Sequence, residues 1–245
     1  MIKLILVVLL FGTPLSLLGG EVPSKVLDLS QWKITLPVDG VKPFGSPDEV
    51  KQPALVDYVN PKYFFVKNGG VVFRAPCGGA TTKNSKYPRS ELREMSADGK
   101  SRAAWDTSSS IVRSMTVKAR IMRTPKVKQH VVCAQIHDAD DDLMMVRLEG
   151  TKLFIERNKI GDVLLTDDYQ LGDTFTVKIQ AGNGRVKVWY NGALKMDWKV
   201  AKEGCYFKAG CYTQSNRDKG DKADDYGEVI IYKLQLEAQK VDLDN

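Results

Sequence analysis

An all-β sandwich or jelly roll is the fold class this sequence predicts, and three observations predict it. Short segments in which apolar and polar residues alternate recur at fairly regular spacing along most of the chain. Turn residues separate them, with Gly182, Asn183 and Gly184 and then Asn191 and Gly192 as the strongest hairpin signals. Beyond the first twenty residues no long stretch carries helical periodicity, and no tandem repeat or linker divides the chain.

The chain opens on Met1, Ile2 and Lys3, continues through an apolar run from Leu4 to Phe11, and reaches small residues at Gly19 and Gly20. A short positive start, a hydrophobic centre too short for a membrane span and a small-residue exit describe a secretory signal peptide over residues 1–20. Residues 21–245 are then read as a single secreted, extracellular domain with no membrane association. A monomer is the default expectation. The formal net charge of +6, reduced by one when Lys3 leaves with the leader, favours polyanionic partners. Nucleic acid is not among them, because the basic residues are scattered and neither zinc-finger spacing nor a basic helix is present.

Residues 26–36 have strand character, with Trp32, Ile34 and Leu36 alternating against Gln31, Lys33 and Thr35 until Pro37 closes the segment. Residues 38–61, rich in Pro, Gly, Asp and Lys, read as a long loop with a short helical turn near residues 48–52. Two short strands follow at residues 63–66 and 70–75, then a loop of Gly, Thr, Asn and Ser over residues 77–86. That loop leads into Arg89, Ser90, Glu91, Leu92 and Arg93, where alternation puts Arg89, Glu91 and Arg93 on one face and Ser90, Leu92 and Glu94 on the other. Neighbours on that face sit about 7 Å apart, so two guanidiniums flanking a carboxylate suit the binding of carboxylates on a polymer.

Residues 111–121 and 129–136 are the next strands. In the second, Gln135 and His137 share a face, Val132, Ala134 and Ile136 take the other, and an acidic turn follows at residues 138–142. Only two histidines exist, His130 and His137, so a base titrating near neutrality has few candidates. Strands at residues 143–148, 152–157, 174–180 and 185–190 lead to residues 206–214. There Phe207, Ala209, Cys211 and Thr213 form a packing face, and Tyr206, Lys208, Gly210, Tyr212 and Gln214 a polar one, with Gly210 leaving room for a ligand to approach. A last strand spans residues 228–236.

The four cysteines, Cys77, Cys133, Cys205 and Cys211, sit in a chain read as exported, so disulfides are permitted, in three full pairings. On one straight strand Cys205 and Cys211 would be roughly 20 Å apart, too far to bond. Either the chain bends near Gly204, or they have other partners, or the thiols are free and buried.

Three strands thus each offer a packing face and a polar face. If the polar faces line one concave sheet, Arg89, Arg93, Gln135, His137, Lys208, Tyr212 and Gln214 supply carboxylate neutralisers, a base and an acid, with no metal cluster and no nucleotide loop. That set suits abstraction of a proton next to a carboxylate, as at C5 of a polyuronate.

The segments Arg89 to Arg93 (RSELR), Gln135 to His137 (QIH) and Tyr206 to Gln214 (YFKAGCYTQ) resemble, in this order, the three characteristic blocks of the alginate lyases of polysaccharide lyase family 7. The resemblance runs from Trp32 to the final strand. It implies a β-jelly roll, a concanavalin-like antiparallel sandwich, with a concave substrate cleft. It implies endo-type β-elimination of alginate without cofactor or metal. By matching positions it assigns catalysis to Arg89, Gln135, His137 and Tyr212, and support of the cleft to Glu91, Arg93, Lys208 and Gln214. Isoleucine at Ile136 is associated in this family with guluronate-containing blocks.

Two rivals remain open. A non-catalytic binding module for acidic polysaccharide could use the same fold, but it would need no paired base and acid. A jelly-roll glycoside hydrolase would need two carboxylic acids across the bond, and the acids of residues 138–142 read as a turn.

Overall fold

The structure, a computed structural model, describes residues 21–41 and 45–240. The leader read at residues 1–20 lies outside the described residues. Fifteen strands run in chain order as β1 (Trp32–Thr35), β2 (Glu49–Val50), β3 (Phe64–Lys67), β4 (Gly70–Pro76), β5 (Arg89–Glu94), β6 (Ile111–Arg123), β7 (His130–His137), β8 (Asp142–Glu149), β9 (Lys152–Glu156), β10 (Val163–Thr166), β11 (Phe175–Gly182), β12 (Arg185–Tyr190), β13 (Ala193–Lys199), β14 (Tyr206–Thr213) and β15 (Tyr226–Lys240). They form an eight-stranded sheet in the order β10, β9, β8, β7, β14, β5, β1, β2 and a seven-stranded sheet in the order β13, β12, β11, β6, β15, β4, β3. Neighbouring strands are antiparallel throughout both sheets. The β14–β5 and β11–β6 ladders, for example, connect segments distant in sequence.

Period-two alternation creates the layer between the sheets. From the eight-stranded sheet, Trp32, Ile34, Leu92, Ile136, Phe207, Ala209 and Cys211 meet Phe73, Met115, Val117, Val229 and Ile231 of the other in one buried cluster. Phe207 is fully buried and its ring lies 4.9 Å from that of Trp105. Removing such a side chain from water contributes about 1.5–3 kcal/mol, which holds the N-terminal half of β14 flat on the core.

The expected elements are present, with several corrections. The first strand is confined to Trp32–Thr35, and the helical turn expected near residues 48–52 is replaced there by β2, while a 3₁₀ turn falls at Ala54–Asp57. Two edge strands, β10 and β13, escaped the sequence reading. Edge strands need no buried face, and β13 exposes Leu194 at 52%, so the alternation that marks the others is absent.

Two further corrections concern the central strands. The pairing of β7 with β8 shifts between Val132 and Ala134, so Cys133 and Ala134 both join the core and Val132 does not share the face of Ala134 and Ile136. Gly210 makes room for protein instead of ligand: at φ +145° its ideal Cβ would lie 2.6 Å from the Ser90 carbonyl oxygen and 2.8 Å from Glu91 Cα. The cysteine alternatives close on the last of them, since all four thiols are free and buried. Burial pushes each up to about 12, so none is a reactive thiolate.

Candidate active site

The three strands singled out in the sequence are adjacent in the middle of the eight-stranded sheet, in the order β7, β14, β5. Their register does the rest. Lys208 stands opposite Gln135 on one side and Arg93 on the other, Tyr206 opposite His137, and Tyr212 opposite Arg89. With neighbouring strands about 4.8 Å apart, residues far apart in the chain come to share one floor. They line an open cleft of about 390 Å³ that includes Arg89, Arg93, Gln135, His137, Lys208 and Tyr212. A larger cavity, about 860 Å³ and bordered by Val38, Gly79, Arg74 and Asp224, holds none of these groups, so chemistry and not volume selects the site.

Glu91 is the hub beneath the cleft floor. Its carboxylate is 1% exposed and accepts from Lys208 Nζ at 2.5 Å, from Arg89 Nη1 at 3.2 Å and from Gln135 Nε2. Burial alone would raise its pKa, but Lys208, Arg89 and the Gln135 amide reverse the effect and hold it below the ordinary carboxylate range. Burial likewise pushes Lys208 down, to about 8, against the pull of Glu91. One buried anion therefore positions three residues, each from a different strand.

His137 at the end of β7 hydrogen-bonds through Nδ1 to the Asp138 carbonyl at 2.8 Å. A carbonyl can only accept, so Nδ1 carries the proton and Nε2 keeps its lone pair. The imidazole stacks on Tyr206 with centroids 5.2 Å apart, which fixes its plane. Burial holds its pKa below the usual histidine value, against the raising effect of the Asp138 carbonyl and with help from the Lys208 charge. The resting group is a neutral base.

Tyr212 lies on β14 itself, toward the opposite end from Tyr206, the register partner of that base, and lines the same cleft. Its hydroxyl is 3.0 Å from Ser85 Oγ, and its ring lies under the Arg89 guanidinium with the carbon 4.0 Å from the centroid. Burial raises its pKa above the ordinary phenol value, opposed by Arg89, so at neutral pH it is a proton donor. Arg93 caps the Tyr206 ring at 3.7 Å in the same way.

Two of the expected cleft residues do not line the cleft: Glu91, which is buried beneath its floor and holds the lining residues in place, and Gln214. Gln214 follows β14, is buried, and directs Nε2 to Met145 Sδ at 3.7 Å while its Oε1 has no hydrogen-bond partner. Several lining residues had no sequence signal: Ser85, Lys33, Glu49, Arg102 and Asp142. They come from loops and from strands outside the central three, β1, β2 and β8, whose place beside the centre is fixed by topology alone. Asp138 is a turn residue as read, accepting the Asp140 and Asp141 amides at 2.8 Å each. Among the described residues no group of three or more His, Cys, Asp or Glu is arranged to hold a metal ion.

The arrangement predicts a bell-shaped pH dependence. The acid limb of kcat/KM should have its midpoint below 6.5, where neutral His137 is lost, and the alkaline limb should set in near 8, where Lys208 loses its charge. A pH–rate profile checks both. An acid limb above 6.5 would remove His137 from the base role.

The family model described as alginate lyase matches residues 27–238. A solved structure, alginate lyase AlgAT5 from polysaccharide lyase family 7, is 48% identical, superposes with a TM-score of 0.85 and is covered completely by 90% of this chain. The alginate lyase from Corynebacterium sp. is 41% identical with a TM-score of 0.84, over 89% of this chain and 98% of that one. An alginate lyase of Klebsiella pneumoniae is 27% identical, over 92% of this chain and 94% of the relative. The protein therefore belongs to the alginate lyase family, and its fold is that of the family 7 polysaccharide lyases.

Proposed function

We propose that the protein cleaves the 1,4-glycosidic bonds of alginate by endo β-elimination, leaving an unsaturated uronate at the new non-reducing end. The observation that carries this reading is the meeting, in one cleft, of a neutral imidazole with a free Nε2, a protonated phenol and a guanidinium beside an amide. A binding module needs no such base and acid, and the family assignment supports alginate as the polymer.

In the proposed cycle Arg89 and Gln135 engage the uronate carboxylate and stabilise the enolate-like charge that develops on it. Arg89 keeps one buried donor, Nε, without a protein partner. His137 Nε2 takes the C5 proton, and the electron pair of that C–H bond becomes the C4–C5 double bond. The C4–O bond breaks, and the departing glycosidic oxygen receives the Tyr212 proton. The raised Tyr212 pKa argues against a resting phenolate as base. Residues 1–20 direct export in this reading, and the remaining single domain acts outside the cell as a monomer without a cofactor.

Guluronate-containing blocks are the preferred substrate. Ile136, which carries that expectation, is wholly buried in the core, so it acts on the cleft only through its neighbours Gln135 and His137. The test is the initial rate on polyguluronate against polymannuronate, followed by ultraviolet absorbance of the new double bond. Wild type should favour polyguluronate, and His137→Asn should lose about 10²–10⁴-fold on it. Equal rates would overturn the preference, and an active His137→Asn on polyguluronate would overturn the base.

A further inference from the structure

The cleft is electrically lopsided across its strands. On the β5–β1 side Lys33, Arg93 and Arg102 line it, and Lys33 and Arg93 are direct register partners. Lys33 is almost fully buried and pairs with Glu49, an exposed residue of β2. Arg93 is held by the Tyr206 ring and by the Glu94 carbonyl at 3.0 Å. The Glu94 carboxylate does not line this flank: it lies on the other face of β5, where it accepts from Trp105 Nε1 and from the Phe207 amide at 2.8 Å each. Arg102 is exposed and adds its charge to both neighbours, lowering the proton affinity of Lys33 and Arg93 beyond what burial does. Three cations thus face one carboxylate.

On the β8 side the sign reverses. Asp140, Asp141 and Asp142 line that flank, and Asp142 is the register partner of His137. Asn158 Nδ2 ties Asp141 and Asp142 together at 3.3 and 3.2 Å, and no cation lines the cleft there.

Crowded like charges with too few counterions are unfavourable unless an anion joins them. We propose that Lys33, Arg93 and Arg102 form a second carboxylate-binding subsite, which holds a uronate unit away from the scissile bond on the β1 side, while the Asp140–Asp142 flank leaves the opposite side of the polymer weakly held. The inference rests on the alginate lyase reading. The polymer is gripped on one side of the reacting bond, and the segment over β8 is the first to leave.

Arg102 is exposed and its bridge to Met95 is made by the backbone, so Arg102→Ala tests the subsite with little risk to the fold. On polymeric alginate at low salt it should raise KM about three- to tenfold with kcat within about twofold. Arg102→Lys should restore most of the loss, and high sodium chloride should abolish the difference by screening. Asp142→Asn should move KM the other way. An active wild type with an unchanged Arg102→Ala KM at low salt overturns the subsite, as does a KM rise that persists at high salt. A wild type inactive on alginate overturns the underlying reading and this inference with it.

Discussion

Tyr212→Phe is expected to lower kcat on alginate by about 10²–10⁴-fold, the range for loss of a general acid. The substitution removes little else. The phenyl ring keeps its place under the Arg89 guanidinium and against Tyr87, whose centroid is 6.4 Å away, and only the contact between the hydroxyl and Ser85 is lost. One such hydrogen bond contributes about 0.5–1.5 kcal/mol to stability, so the variant should fold and bind the polymer with KM nearly unchanged. The measurement is ultraviolet absorbance of the product under saturating substrate, with binding of the polymer followed in parallel. Retention of more than a tenth of the activity would show that the departing oxygen takes its proton from elsewhere.

The largest effect on stability is expected for Glu91→Gln. The wild-type carboxylate neutralises Lys208 and Arg89 where water cannot, and removing one partner of a buried ion pair costs about 3–5 kcal/mol. For a chain of this size that is on the order of 10 °C in Tm. The sign with pH follows from the lowered Glu91 pKa: the stabilisation is complete above the ordinary carboxylate value and is lost only as pH falls through the lowered one. Activity should suffer separately, because Arg89 and the Gln135 amide lose the anchor that orients them. Calorimetry together with kcat at a temperature well below the new Tm separates the two. A variant that melts within about 2 °C of wild type, or that keeps full kcat when folded, would contradict the hub role.

What the sequence disclosed, and what it hid, divides along a physical line. Arg89, Arg93, Gln135, His137, Lys208 and Tyr212 were legible because alternation assigns each to a face and because the faces repeat the same division between apolar and polar. Their convergence was a matter of strand order, which local pattern does not encode. Glu91 was visible as a residue of the right face, but its role as the anchor of three strands depends on register partners far along the chain. Val132 was misplaced because a bulge shifts the period without leaving a compositional mark. Gly210 was credited to a ligand because a missing side chain looks the same whether it admits substrate or a neighbouring strand. Arg102 and Asp142 belong to segments outside the three blocks, and their place in the cleft follows only once the sheet is assembled.

The close approach at Gly210 has a consequence for how this enzyme can be altered. Any methyl there would have to displace the backbone of β5 or the Phe73 ring, whose nearest atom would be 3.0 Å away, and two residues on sits the phenol. The gap between β14 and β5 is thus set by an atom the chain lacks, which reduces the alphabet at this position to a single letter. Retuning of substrate choice has to come from the flanks, where side chains can be exchanged without widening that seam.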